Sequence, residues 1–223
     1  TYDTVNAGSG KTVTVSLTTS DYTATGATNL SNYTLPTSIS GAVGDISKAA
    51  LTATGNSASV TYNGANQSVS GFTVSGLQGT DTVNSLSSIS AAGATGKNAG
   101  SYANTVTAGT ETNYTVTTVN GSLDIAKANA TVTANGGTLT YNGANQTVSG
   151  FTATGLVNNE APSVLTGVTA STTQKNAGTY VTTASGTDSN YNLTFVDGQL
   201  VINKAALTAT GNSASGTYNG ANQ

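Results

Sequence analysis

The chain has 223 residues, with six basic and nine acidic side chains, a net charge of −3, and no histidine, cysteine, methionine or tryptophan. Charged residues make up 7% of it, against roughly 25% in globular chains, so Thr, Ser, Asn and Gly must supply a neutral polar surface. Ser-His-Asp, Cys-His and zinc chemistry are excluded, nucleic acid finds no basic stripe, and no apolar run of 18 residues can span a bilayer.

Residues 1–47 carry Asn6-Ala7-Gly8 and Asn32-Tyr33-Thr34 and close on Asp45-Ile46-Ser47-Lys48. All three landmarks recur downstream, so this segment reads as the C-terminal part of a related, longer repeat. Residues 48–126 form repeat one and 127–203 repeat two, and 204–223 start a third. The twelve residues from Lys48 return unchanged from Lys204, and the run on to Gln223 differs only at Val60 against Gly216. Repeat two matches through Tyr141-Asn142-Gly143 against Tyr62-Asn63-Gly64 and Gly150-Phe151-Thr152 against Gly71-Phe72-Thr73, both at an offset of 79. Lys175-Asn176-Ala177-Gly178 matches Lys97-Asn98-Ala99-Gly100 at an offset of 78. A tandem array is therefore the expected architecture.

Within the repeats, apolar and polar residues alternate at period two in Tyr114-Val116-Thr118, Leu123-Ile125, Val132-Ala134, Leu139-Tyr141 and Tyr191-Leu193-Phe195. This predicts short strands with one side in a core. Asn120-Gly121 and Asp197-Gly198 fall between alternating runs and predict type I′ turns, as do Asn63-Gly64, Asn142-Gly143 and Asn219-Gly220. Residues 80–86 and 159–165 are the one short helix candidate of each repeat, with Asp81 and Glu160 near its N-terminus. The fold class is mainly β, in domains of about 78 residues whose small cores leave a thin margin of stability. The junction from Leu123 to Val132 holds no Pro or Gly and reads as short and stiff.

Taken in order, these motifs resemble a known family. Tyr-Asn-Gly, Val-Ser-Gly-Phe-Thr, Lys-Asn-Ala-Gly-x-Tyr and a closing Gly-x-Leu-x-Ile-x-Lys-Ala are similar to the MBG-type repeats of large bacterial surface exoproteins. Residues 1–47, through Asn6-Ala7-Gly8-Ser9-Gly10-Lys11, resemble the related YDG-type repeat. Both types occur in filamentous-haemagglutinin-family adhesins. The resemblance implies an extracellular location on the bacterial surface and compact, β-grasp-like modules, with an Ig-like β-sandwich as the alternative.

The chain carries little that could do chemistry. The nine acids are scattered, and glycoside-type catalysis needs two brought together, so they read as turn and edge residues of a chain that is not an enzyme and binds no cofactor. The EF-hand spacing and the Gly-Gly-x-Gly-x-Asp repeat that hold calcium are both missing. Lys97-Asn98 and Lys175-Asn176 contain the residue types of an isopeptide cross-link, but a turn with lysine in water accounts for them. Tyr62, Tyr141 and Tyr218 suit either a sugar-stacking row or turn-anchoring tyrosines.

Two functions follow. One is a structural segment of an adhesin stalk or filament serving surface attachment or biofilm cohesion, whose partners are other copies or neighbouring repeats. The other is a set of multivalent modules for host or matrix glycans or mucin. A scaffold should bury its recurring tyrosines, whereas a binding array should expose them alike. The incomplete ends suggest either a longer fibre or assembly in trans. In the second case Leu207, Thr208, Ala209 and Thr210 would donate a strand to residues 1–47 of another copy.

Overall fold

Alternating residues become short strands throughout, and no α-helix occurs among residues 1–221, which are those the computed structural model describes. The strands fall into two units, one made of Thr1–Thr61 with Ala65–Ala126, the other of Tyr62–Gly64 with the chain from Lys127 onward.

The first unit opens with β1 (Gly8–Ser16) and β2 (Ser38–Ile46), an antiparallel pair. There follow β3 (Ala49–Gly55), β4 (Ala58–Thr61), β5 (Gln67–Val69), β6 (Phe72–Ser75), β7 (Ile89–Ala91), β8 (Ala94–Gly96), β9 (Gly100–Asn104), β10 (Val106–Ala108), β11 (Tyr114–Val119) and β12 (Gly121–Ala126). β3 lies between β11, to which it is parallel, and β6, to which it is antiparallel. β12 lies between parallel β4 and antiparallel β9. A parallel pair needs a crossover rather than a hairpin, so the opening strands of the repeat are held by its closing strands. Leu51, Ala53, Leu86, Ile89, Val106 and Tyr114 form a core, with Phe72, Val74 and Val116 packed on it.

The second unit repeats this plan with β13 (Ala128–Ala134), β14 (Gly137–Thr140), β15 (Gln146–Ser149), β16 (Phe151–Thr154), β17 (Val168–Gln174), β18 (Gly178–Thr182), β19 (Ala184–Gly186), β20 (Tyr191–Val196) and β21 (Gly198–Asn203). Its sheets run β16-β13-β20, β14-β21-β18 and β15-β17-β19, with β13–β20 and β14–β21 parallel. The mainly β tandem array is therefore as expected. The period-two pattern is strongest in β12, where Gly121, Leu123 and Ile125 are buried, and in β13, where Ala128, Ala130, Val132 and Ala134 are.

One strand differs between the repeats. Where repeat two has the single strand β17, repeat one has β7 and β8, separated at Ala92-Gly93. The extra residue is Gly93, at φ +77°, and its insertion accounts for the change of offset from 79 to 78. The buried Asn104 side chain occupies the break. Its Oδ1 accepts from Gly93 N at 2.9 Å, and its Nδ2 donates to Asn56 O at 3.0 Å and Gly71 O at 2.9 Å.

Three local expectations are corrected. Gly121 and Gly198 do not sit in type I′ turns, since neither they nor Asn120 and Asp197 have positive φ. They begin β12 and β21, which belong to different sheets from β11 and β20. Glycine is required there by close backbone approach: a Cβ on Gly121 would lie 2.2 Å from Asn56 O, and one on Gly198 2.5 Å from Ala134 O. At Asn63-Gly64, Asn142-Gly143 and Asn219-Gly220, only the glycine has positive φ (+76°, +78° and +78°), which suits a type II rather than a type I′ turn. The helix candidates shrink to 3-10 turns at Val83–Ser85 and Pro162–Val164, and Leu139 and Tyr141 face solvent rather than core.

Candidate functional site

Several residues that recur between the repeats make the same hydrogen bonds in each. Asn56 Nδ2 donates to Ser70 O at 2.9 Å and Asn135 Nδ2 to Ser149 O at 3.0 Å. Tyr102 and Tyr180 hydroxyls donate to the carbonyls of Asn98 (3.0 Å) and Asn176 (3.1 Å), closing the Lys-Asn-Ala-Gly turns. Lys97 and Lys175 beside them are exposed. Lys48 Nζ donates to Glu111 O at 2.6 Å and Lys127 Nζ to Asp188 O at 2.7 Å, so the lysine that opens each repeat ties down the loop before its β11 or β20 strand. Glu111 is itself buried, and Ser88 donates to its Oε1 through Oγ (2.6 Å) and N (2.9 Å). These bonds hold its carboxyl below the usual value of 4.5.

The acidic loops are the most chemically distinctive places. In repeat one, the Tyr114 hydroxyl donates to Asp81 Oδ2 at 2.6 Å and accepts from Gln78 N at 2.9 Å, while Asp81 N donates to Gln78 O at 3.1 Å. In repeat two, the Tyr191 hydroxyl donates to Glu160 Oε2 at 2.6 Å and accepts from Val157 N at 3.0 Å, while Glu160 N donates to Val157 O at 3.0 Å. Between them one residue is left-handed in the first loop, Gly79 (φ +59°), and two are in the second, Asn158 (φ +52°) and Asn159 (φ +55°). The acids therefore serve tyrosine hydroxyls, not a helix N-terminus. Hydrogen bonding to ionised Asp81 raises the Tyr114 pKa.

The second unit adds one more partner to its loop. Tyr62–Gly64 belongs to this unit, and the Tyr62 hydroxyl donates to the other Glu160 oxygen, Oε1, at 2.6 Å. The Tyr62 and Tyr191 rings meet edge to face, with centroids 5.4 Å apart and planes at 83°. Asn158 Nδ2 donates to Gly64 O at 3.3 Å, and a Cβ on Gly64 would lie 2.6 Å from Asn158 Cβ. Burial first, and the Glu160 bond second, raise the pKa of Tyr62 and push that of Tyr191 up to about 12. Sequence reasoning missed this cluster because its partners lie 98 residues apart. The only signal was that tyrosine and an acid recur at matching positions.

The three equivalent tip tyrosines are not alike: Tyr62 is 4% exposed, Tyr141 38% and Tyr218 91%. Leu207, Thr208, Ala209 and Thr210 lie in a segment without strand, all exposed. Leu207 lines a shallow cavity with Tyr141, Ala177 and Lys204. Among the described residues no three acidic side chains gather as a metal would need, and no helix is long and apolar enough to cross a membrane.

The model of the MBG domain family, YGX type, matches residues 51–124 and 130–201, two copies in tandem. No curated protein and no solved structure matches the chain.

Proposed function

The chain belongs to the MBG domain family of YGX type, repeats found in surface proteins, and on that premise we propose that it is a structural segment of an extracellular bacterial stalk or filament, one that catalyses nothing and sets the distance at which activities located elsewhere are displayed. The matched hydrogen bonds carry this reading: the side chains that recur between repeats are committed to carbonyls and strand ends within them. Attachment and biofilm cohesion are then the roles such a stalk serves at a cell surface, in the manner of the adhesins its motifs resemble. The glycan-binding alternative asks for equivalent tyrosines exposed alike, and Tyr62 at 4% against Tyr141 at 38% does not meet that demand.

The test varies repeat number. Stalks lengthened or shortened by whole copies of residues 48–203, displayed with a fixed terminal reporter, are expected to change the reporter's height above the surface by a constant step per copy. The purified chain is expected to show no saturable binding on glycan arrays or immobilised mucin. Saturable binding that Tyr141→Ala removes, with height independent of copy number, overturns the stalk reading.

A further inference from the structure

The second unit is not one stretch of chain. It takes in Tyr62–Gly64 as well as the residues from Lys127 onward, while Thr61 and Ala65, on either side of that tip, belong to the first unit. The tip is built into the acidic loop. Tyr62 is buried, donates to Glu160 Oε1 and meets the Tyr191 ring edge to face, and Asn158 Nδ2 donates to Gly64 O. A Cβ on Gly64 would lie 3.3 Å from Glu160 Oε1, so backbone as well as ring closes over the carboxylate. Glu160 thus accepts one hydroxyl from its own repeat and one from the repeat before it.

The folding of the first unit is what brings the tip there. β4 and β12 run parallel, and their register ends with Thr61 opposite Ala126. The next residues, Tyr62 and Lys127, are the two points at which the chain enters the second unit, so the two crossings start from neighbouring strands. The returning arm of the tip is fixed too. Gln67, the first residue of β5, donates from Nε2 to Thr61 O at 3.1 Å, and β5 is itself paired with β8. With the first unit unfolded, the 62 residues from Ala65 to Ala126 become a flexible loop, and seating the tip then carries the entropy of closing it.

We propose that the Tyr62-Asn63-Gly64 tip is a coupling element, seated in the acidic loop of the following repeat only while the strands that hold it are folded, so that the stability of the second unit depends on the first. The partner of the tip is the neighbouring repeat of its own chain, and Gln67 is the residue that positions it. Coupling is reciprocal, so the seated tip stabilises the first unit in turn. Where each repeat interacts with its neighbour in this way, repeats resist unfolding together rather than one by one. The coupling does not rest on the stalk reading, since it holds whatever the chain does at a surface.

Urea unfolding of the whole chain tests it. Val196→Trp gives the chain its single tryptophan, in β20 of the second unit, and three further changes are compared in that background. Tyr62→Ala removes the ring and hydroxyl of the tip. Leu51→Asp buries a charge in the core of the first unit and unfolds that unit, which hydrogen exchange in β3 and β11 verifies. Gln67→Ala loosens the tip and leaves both cores intact. Tyr62→Ala and Leu51→Asp should each lower the folding constant of the second unit about tenfold or more, as expected for losing a hydrogen bond to a charged group, and together no further than either alone. Gln67→Ala should act in the same direction more weakly, and not at all once Tyr62 is alanine. A second unit indifferent to Tyr62→Ala or to Leu51→Asp overturns the proposal, because the tip is then either unimportant or seated without its strands. A loss from Leu51→Asp that persists undiminished in the Tyr62→Ala background also overturns it, because the covalent junction at Ala126-Lys127 then carries the coupling. A second unit unfolded in water in both variants supports the proposal, and one unfolded in Leu51→Asp alone overturns it.

Discussion

Tyr62 and Asn104 show how single side chains differentiate nearly identical repeats. Tyr62→Phe keeps the ring contact with Tyr191 but leaves Glu160 Oε1 without its donor. Because that bond is to a charged acceptor, the second unit should lose about 2 kcal/mol in urea unfolding. Asn104 and Thr182 are both completely buried at matching positions, yet Asn104 makes three hydrogen bonds and Thr182 Oγ1 makes none. Asn104→Ala strands the Gly93 N–H and the Asn56 carbonyl, while Gly71 O keeps its bond from Asn56 N, and should cost about 3 kcal/mol, whereas Thr182→Val removes an unsatisfied hydroxyl at constant shape and should raise stability by about 1 kcal/mol. Thermal melting of both variants checks this, and a destabilising Thr182→Val would mean that the hydroxyl has a partner. Such pairings were only half legible in the sequence. Recurrence marked Tyr62, Asp81, Tyr114, Glu160 and Tyr191 as matching positions, but which hydroxyl meets which carboxylate depends on chain crossings that local spacing does not encode.

Among the elements, strands were readable and their connections were not. Period-two alternation marked β11, β12, β13 and β20 because each has one face in a core, a property of the strand itself. The Asn-Gly and Asp-Gly pairs misled because glycine can be demanded by a turn or by a distant backbone, and the residue is the same in both cases. At Gly121 it is the distant backbone. An added Cβ would lie 2.2 Å from Asn56 O and 2.5 Å from Gly55 O, all of it backbone that cannot step aside. Gly121→Ala should therefore destabilise the first unit by about 3 kcal/mol, the upper range for overpacking. Gly143 is the opposite case, with positive φ and nothing within 4 Å of a Cβ, so Gly143→Ala should cost only the left-handed backbone term of about 1 kcal/mol. Urea midpoints of the two variants, measured side by side, separate the mechanisms. Equal costs would place Gly121 in an ordinary turn after all. The helix candidates failed for a related reason: the acid expected to favour a helix N-terminus is engaged by a tyrosine hydroxyl 31 or 33 residues away, and only one 3-10 turn remains.

For the molecule as a whole, the ionisable groups are divided unequally between the units, and that division predicts opposite responses to pH. The carboxyls held below their ordinary values, Glu111 by Ser88, Asp124 by Ser101 and Ser122, and Asp21 by Thr18, all lie in the first unit. A depressed carboxyl contributes stability that is complete above its ordinary value near 4 and is lost as pH falls through the depressed one. Acid should therefore weaken the first unit before the second. Tyrosines behave in the reverse sense. Tyr62 and Tyr191, both in the second unit, are raised by burial and by Glu160, Tyr191 to about 12. Their contribution is complete below pH 10 and is lost as pH climbs through their raised values, because an ionised hydroxyl can no longer donate to the carboxylate. Tyr114 in the first unit is raised too, through one bond to Asp81, but it has no second tyrosine sharing the acid. The chain has no tryptophan, so Val119→Trp and Val196→Trp, at matching and half-exposed positions of β11 and β20, give each unit its own fluorescent reporter. In urea at pH 3 the Val119→Trp signal should change at lower denaturant than the Val196→Trp signal, and at pH 11 the order should reverse. Tyr62→Phe in the Val196→Trp background should remove much of the alkaline shift while leaving the acid order as it was. Reporters that keep the same order at both extremes would show that the Tyr62–Glu160–Tyr191 cluster does not govern the second unit's stability.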